Sequence, residues 1–185
     1  VNGQLIETAN QRRIKFEYYG WEEDGEFENF KAQARVQFLG LNQYLLSVRI
    51  ENSSQNYLSL TPLFYFNKEA KHLKLLKAPN AEHTIIKFAV QPTISLGENF
   101  LAILPSFPTQ LQKGEKSGDF IIAGDELLLN PRQAEWIWFI FGYNPDQEEL
   151  ALRVALEAKA GFKDPEQAWE IMLKERENFF SSLPK

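Results

Sequence analysis

The segment from Glu135 to Gly142, EWIWFIFG, constrains the fold of this chain more than any other stretch. It is apolar on every face and only eight residues long. Helices usually need about ten to twelve residues, whereas a short segment that is apolar on both faces suits a strand inside a covered sheet. We therefore predict that this segment is a central β-strand with packed layers on both sides of its sheet.

Most of the chain before this segment reads as short strands at intervals of about ten residues, separated by turn signals. Gly40-Leu41-Asn42 joins two of these strands and predicts a hairpin, and Asp24-Gly25 predicts a turn. The pattern is typical of a mainly β chain that folds as a β-sandwich. The strands are predicted over residues 14–18, 34–38, 44–50, 57–60, 63–66, 84–90, 100–104, 120–122 and 126–129.

After residue 143 the spacing of apolar residues changes to that of helices. Asn144-Pro145-Asp146-Gln147 offers a capping residue followed by proline at the first helical position, and Asp164-Pro165-Glu166-Gln167 repeats this signal. Gly161 predicts the end of the first helix. The two predicted stripes are Leu150, Val154 and Ala158, then Trp169, Met172, Leu173, Arg176, Phe179 and Phe180. We expect a sandwich domain over residues 1–143 and a helical linker over residues 144–185.

The charge and the cysteine content of the chain indicate which partners and which cellular compartments to expect. The formal net charge is -5 without a basic block, so neither nucleic acid nor a membrane surface is an expected partner. Cysteine is absent, which excludes disulfides and thiolate chemistry. We expect a soluble protein of the cytoplasm or periplasm. Because the chain begins with Val1 and its single methionine is Met172, we expect a processed chain or a part of a longer protein.

Motifs that carry chemistry are missing from the sequence. The two histidines, His72 and His83, lie in no metal-binding or nucleophile motif, and no glycine-rich phosphate loop is present. We expect no catalytic residue, no cofactor and no metal in this chain. The acidic cluster could supply carboxylates for glycoside hydrolysis or oxygen ligands for calcium, but a solvated hairpin turn is the favoured interpretation. Its members are Glu22, Glu23, Asp24, Glu26 and Glu28.

Exposed aromatic residues are candidates for stacking on sugar rings. Trp136 and Trp138 lie in a segment too apolar to be exposed, whereas Tyr18, Tyr19 and Trp21 are flanked by acids. We predict a carbohydrate-binding site at Tyr19, Trp21 and Asp24. The sequon Asn52-Ser53-Ser54 is interpreted as a plain turn.

The run Tyr18-Tyr19-Gly20-Trp21-Glu22-Glu23-Asp24-Gly25-Glu26-Phe27, with Gln33 after it, resembles the N-terminal domain of glycoside hydrolase family 63. Ser59 to Tyr65 and the closing run Glu177 to Pro184 are similar to that family as well. The resemblance implies a large antiparallel β-sandwich of the supersandwich type, followed by two linker helices. It also implies that the intact enzyme hydrolyses α-glucosidic bonds with inversion, using carboxylates of an α/α barrel beyond Lys185.

Two functions therefore stay open at this point. The chain is a non-catalytic accessory domain that packs against a catalytic α/α barrel of the same parent chain, or it is a stand-alone carbohydrate-binding or adhesion-type sandwich. A scaffold role in an assembly has no positive signal. Trp169, Phe179 and Phe180 are the expected domain contacts, either with the barrel or with the sandwich itself.

Overall fold

The computed structural model describes residues 11–17, 20–66, 73–77, 84–88, 99–113 and 120–182. These residues form a mainly β, antiparallel sandwich with two helices at the end. The strands are β1 (Gln11–Glu17), β2 (Gly20–Glu26), β3 (Phe30–Gly40), β4 (Gln43–Asn52), β5 (Leu58–Leu60), β6 (Leu63–Phe66), β7 (Leu73–Lys77), β8 (Thr84–Phe88), β9 (Asn99–Pro105), β10 (Thr109–Lys113), β11 (Phe120–Gly124), β12 (Leu127–Leu129) and β13 (Ala134–Asn144). The helices are α1 (Glu148–Gly161) and α2 (Pro165–Ser182).

An eight-stranded sheet is the middle layer of the molecule, in the order β1-β2-β3-β4-β13-β9-β8-β7. A three-stranded sheet, β10-β11-β6, and a two-stranded sheet, β12-β5, lie against one face. Helix α1 lies against the other face, which we call the helix side. The predicted β-sandwich with two C-terminal helices is therefore confirmed.

The predicted central strand is β13, which pairs with β4 on one edge and β9 on the other. Successive side chains of a strand point to opposite faces. Ile140 packs with α1 on the helix side, whereas Phe139 packs with Ile122 of β11 on the opposite side. Both faces of β13 are covered, which explains why its sequence is apolar on both faces from Trp136 to Gly142.

Helix α1 packs closely on the sheet through small residues. Ala151, Ala155 and Ala158 are its buried residues, and they face the sheet near Gly142. A Cβ atom at Gly142 would lie 2.3 Å from the carbonyl oxygen of Ala151, so only glycine fits there. The predicted stripe of Leu150, Val154 and Ala158 is right for Ala158, which is buried. It is wrong for Leu150, which is 36% exposed, and it misses Ala151 and Ala155, the alanines that allow the close approach.

The predicted start of the first helix at Asn144 is also wrong. Asn144 is the last residue of β13, and its side-chain oxygen accepts hydrogen bonds from the backbone N–H groups of Asp146 and Gln147 at 2.9 and 2.8 Å. The asparagine therefore closes a local turn, and the helix begins at Glu148. In α2 the same signal works as predicted, since Asp164 accepts from the backbone N–H of Gln167 at 2.8 Å and the helix begins at Pro165.

The predicted turn at Asp24-Gly25, within the acidic cluster, is wrong. Both residues lie inside β2, which pairs with β1 on one side and β3 on the other. The polar sequence GWEEDGE forms a strand because its acidic side chains pair with basic or amide side chains of the neighbouring strand. Local turn propensity contains no information about such pairing. Strands β7 and β10 were not predicted either.

Helix α2 is buried over its first half only. Trp169 and Met172 are 5% and 4% exposed, whereas Phe179 and Phe180 are 42% and 51% exposed. Within the described part of the chain, neither helix is long and apolar enough to span a membrane.

Candidate functional site

The helix side of β1–β4 is polar wherever helices do not cover it, and we call this surface the polar face. Its side chains pair with one another, both across strands and along one strand. Gln33 of β3 donates a hydrogen bond to Asp24 of β2 at 3.0 Å. Two ion pairs lie beside this bond: Lys31 pairs across strands with Glu26 at 3.0 Å, and Arg49 pairs with Glu51 of the same strand, β4, at 2.7 Å. The partners of the acids in β2 are thus supplied by the neighbouring strand β3.

A shallow depression of about 330 Å³ lies on the polar face, and its lining includes Arg13, Asp24, Gln33, Arg49 and Glu51. Most of its charged groups already form ion pairs or hydrogen bonds with neighbouring side chains. The arrangement suits hydrogen bonding with solvent or a polar ligand more than proton transfer, because each carboxylate of these pairs is held by a donor.

The pKa of Lys31 is raised above its ordinary value. The largest cause is the side-chain hydrogen bond with Glu26, followed by the attraction of the same carboxylate. Because Lys31 is exposed, solvent screens this interaction and its effect on stability is small.

Arg35 joins the polar face to helix α2. Its Nε donates to Glu22 at 2.6 Å, and its Nη1 donates to Glu166 of α2 at 3.1 Å. Its guanidinium also lies between two indole rings, 5.2 Å from the ring centre of Trp136 and 4.9 Å from that of Trp169. The side chain of Arg35 is only 8% exposed, so α2 is held on the sheet by a largely buried cation.

A second concave feature, the helix crevice, lies where α2 crosses the sheet beside the end of α1. It measures about 240 Å³ and is open to solvent. Its lining includes Gln37 and Leu39 of β3, Phe162 between the helices, and Ile171 and Met172 of α2. Three glutamines line it in all, because Gln43 and Gln167 join Gln37. The crevice thus combines an apolar wall with side-chain amides.

Two of the predicted sugar-binding residues, Trp21 and Asp24, are not brought together. Trp21 and Asp24 lie in β2 three positions apart, so their side chains point to opposite faces of the sheet. Asp24 lies on the polar face beside Gln33, whereas Trp21 pairs with Val36 on the other side. Tyr19 lies outside the described residues, as do Tyr18, His72 and His83, and the predictions for these four stay predictions.

The three predicted domain contacts separate into two groups. Trp169 packs on the sandwich itself, over Arg35. Phe179 and Phe180 contact each other edge to face at 5.5 Å and remain largely exposed at the end of α2. The first residue therefore stabilises this chain, and the other two are placed where a partner can reach them.

Asn52 of the sequon is a structural residue. It is fully buried, and its side-chain amide donates to the backbone carbonyl oxygens of Asn56, Leu129 and Asn130. The interpretation of this segment as a plain turn is confirmed, since its oxygen also accepts from Ser54.

Sequence reasoning missed Arg35 and Gln37, although β3 carries a signal for both. Lys31, Gln33, Arg35 and Gln37 alternate with Ala32, Ala34, Val36 and Phe38. Such alternation places all four polar side chains on one face. In the part of the chain that the structure describes, no group of three or more acidic or histidine side chains is placed to hold a metal ion.

No protein-family model matches the chain, and no curated protein matches it. Among solved structures, it is similar to a putative kojibiose phosphorylase from the human microbiome, with a TM-score of 0.57 and 13% identity over 88% of this chain. It is also similar to a polysaccharide lyase, with a TM-score of 0.53 and 9% identity over 74% of this chain. The chain spans 23% of the length of each. Its fold thus corresponds to one region of larger carbohydrate-processing enzymes.

Proposed function

We propose that this chain is a non-catalytic accessory domain of a carbohydrate-processing enzyme and that it packs against the catalytic domain of its parent protein. One observation carries the proposal: most of the chain matches a quarter or less of a kojibiose phosphorylase, with 88% of this chain and 23% of that protein aligned. An accessory domain would give this relation. The pairing of the carboxylates on the polar face with basic or amide side chains agrees with a supporting role.

The finer assignment comes from the sequence. The Tyr-Gly-Trp stretch around Trp21 resembles glycoside hydrolase family 63, which favours an inverting α-glucosidase as the parent enzyme. The structural neighbours include a phosphorylase and a lyase, which break glycosidic bonds by other reactions. We therefore propose that the parent protein is a carbohydrate-processing enzyme in which this chain has an accessory role. Within that class, an α-glucosidase is the specific parent enzyme that we propose.

The end of α2 is the surface that we propose for the catalytic domain. Phe179 and Phe180 expose 42% and 51% of their surface there, in a helix whose first half is held by Trp169. Paired exposed aromatic residues bury large apolar areas when a partner covers them. The proposed occupant is an α/α-barrel catalytic domain of the same parent protein, which is the partner that the sequence resemblance implies.

The test compares the 185-residue chain with the protein that its full reading frame encodes. We expect the chain alone to release no glucose from kojibiose or other α-glucosides, with or without phosphate, and the full protein to do so. Turnover by the chain alone that is lost on Glu22→Gln or Asp24→Asn would overturn the proposal. A reading frame without any catalytic domain would do the same, and would favour the stand-alone binding module.

The docking surface has a matched control. Phe179→Ser with Phe180→Ser should lower the free energy of unfolding of the 185-residue chain by only about 1 kcal/mol, because the rings are 42% and 51% exposed and the changes remove their edge-to-face contact. In the full protein the double variant should lower activity or the unfolding temperature. Leu156→Ser on α1, where Leu156 is 50% exposed, should change neither measurement. If the double variant and Leu156→Ser changed the activity and unfolding temperature of the full protein equally, the end of α2 would not be the contact with the catalytic domain.

A further inference from the structure

The helix crevice has the chemistry of a small-ligand site, and it lies entirely within this chain. Ligand sites for drug-sized molecules usually measure about 300–1,000 Å³. The crevice measures about 240 Å³, so it suits a ligand of one ring rather than a large one. It is bounded by three elements, β3, α1 and α2.

Gln37 is the unusual residue of this crevice. Its side chain is 1% exposed, and its carbonyl oxygen has no hydrogen-bond partner in the structure. A buried oxygen without a partner is unfavourable, because it has lost its contact with water without replacement. A hydroxyl group bound in the crevice would donate the missing hydrogen bond after a small rotation of the amide.

The remaining lining indicates which chemistry fits. Phe162, Ile171 and Met172 supply an apolar wall, and Gln43 and Gln167 supply further amides that both donate and accept. A sugar ring has the matching surface, since its C–H groups form an apolar face and its hydroxyls also both donate and accept. A purely apolar ligand would leave the amides unpaired, at a cost in affinity.

Charge distinguishes neutral from anionic sugars. The charged side chains that line the crevice are Glu157, Glu175 and Lys163, which leave a net charge of -1. Glu157 is held by Arg153 at 2.8 Å, a pair that lies on the exposed surface of α1. Sulfated or uronic sugars would therefore meet no concentrated positive charge.

We propose that the helix crevice binds a single neutral hexose unit of a saccharide, with Gln37 as a specificity-determining residue. The crevice contains a buried polar atom without a hydrogen-bond donor, the side-chain carbonyl oxygen of Gln37. The depression on the polar face differs, because its charged groups already form ion pairs. The inference does not depend on a catalytic partner, because every lining residue belongs to this chain.

The test is a titration of the isotopically labelled 185-residue chain with kojibiose, followed by the amide signals in two-dimensional NMR. We expect millimolar binding, with the largest shifts at residues that line the crevice. Gln37→Leu should raise the Kd at least about tenfold, because it removes the amide and its hydrogen bonds. It should not lower the unfolding temperature, because it also removes an unpaired buried oxygen.

Gln33→Leu is the matched control. Gln33 lies on the same strand and the same face as Gln37 but lines the depression instead. It should leave the Kd within about twofold. If Gln37→Leu does not fold, Ile171→Arg is the variant to use in its place in the same titration. Ile171 is 52% exposed and lines the crevice.

Three results would overturn the proposal. The first is no shift at millimolar kojibiose, and the second is binding that Gln33→Leu weakens while Gln37→Leu does not. The third is equal or tighter binding of a heparin tetrasaccharide, which would make the site one for anionic sugars. None of these results bears on whether the full protein is an enzyme, so the accessory role is tested separately.

Discussion

The two halves of the helix side of the large sheet hold their helices by different means. Under α1 the sheet is apolar, and Leu45, Ala102 and Ile140 are fully buried against the helix. Under α2 the sheet is polar, and its main contact is the guanidinium of Arg35 between two indole rings. In the first half α1 meets an apolar sheet through its alanines, whereas in the second half α2 is held by a largely buried cation together with the buried side chains Trp169 and Met172.

This difference explains where the concave features lie. Helix α1 lies close to β13, since Gly142 has no side chain to hold the alanines away. Helix α2 carries the larger side chains Trp169 and Met172 toward the sheet, and it contacts the strands less closely than α1 does. The helix crevice lies at this less closely packed helix, and so does the exposed pair Phe179 and Phe180. The closely packed helix is thus α1, whereas the concave and exposed apolar surface lies at α2.

The largest expected effect is from Gly142→Ala. Its methyl group would lie 2.3 Å from the carbonyl oxygen of Ala151 and 2.4 Å from the backbone nitrogen of Ala155, so α1 must move off the sheet. We expect a loss of about 3–4 kcal/mol in the free energy of unfolding, measured with denaturant.

Gly161→Ala is the control for that change. Nothing lies within 4 Å of the position of its Cβ atom at the end of α1. A small gain in stability, up to about 1 kcal/mol, is expected because alanine favours the helix. If the two alanine variants were equally stable, close packing under α1 would not be what holds the helix.

The second expected effect is from Arg35→Leu, which removes the cation that holds α2. Glu22, only 15% exposed, would lose its partner, and Trp136 and Trp169 would lose the cation between them. We expect a loss of about 2–3 kcal/mol, less than for a fully buried pair because Glu22 keeps some contact with water. Hydrogen exchange should speed up in α2 more than in α1.

Adding Glu22→Gln to Arg35→Leu tests the cause. The neutral amide no longer leaves a charge without its partner, so the double variant should recover about 1 kcal/mol. Strictly additive losses, or equal acceleration of exchange in both helices, would mean that Arg35 is not the specific anchor of α2.

Most of the sheet could be predicted from the sequence, because apolar residues repeat with the period of strands. The segment around Phe139 is apolar on both faces, and the hairpin at Asn42 has an asparagine in the left-handed region, with φ of 61°. Strand β2 could not be predicted in this way. Its acids are stabilised by partners such as Arg35 and Gln33, which belong to another strand. Local propensity contains no information about such partners.

The candidate sites were harder to predict than the fold. A strand places residues three positions apart on opposite faces, so Trp21 and Asp24 could have been separated only after β2 was identified. The helix crevice depends on how α2 packs on the sheet through Trp169 and Met172. The alternation of polar and apolar residues in β3 carried a signal for Gln37, but sequence reasoning missed it.

The smallest expected effect is from Lys31→Gln, which compares an exposed ion pair with the buried one at Arg35. The hydrogen bond with Glu26 raises the pKa of Lys31 above its ordinary value. Its contribution to stability is therefore fully present below the unfolded pKa of about 10.4, and it is lost as pH rises through the raised folded pKa.

The difference in denaturant midpoint between the parent chain and Lys31→Gln should thus be small and constant near pH 8, and should vanish above the folded pKa. High salt should reduce it as well, because the pair is exposed. The corresponding difference for Arg35→Leu should persist at high salt, since a largely buried pair is little screened. A Lys31 difference that grows with pH, or an Arg35 difference that falls with salt as steeply as that of Lys31, would contradict the division between an exposed and a buried pair.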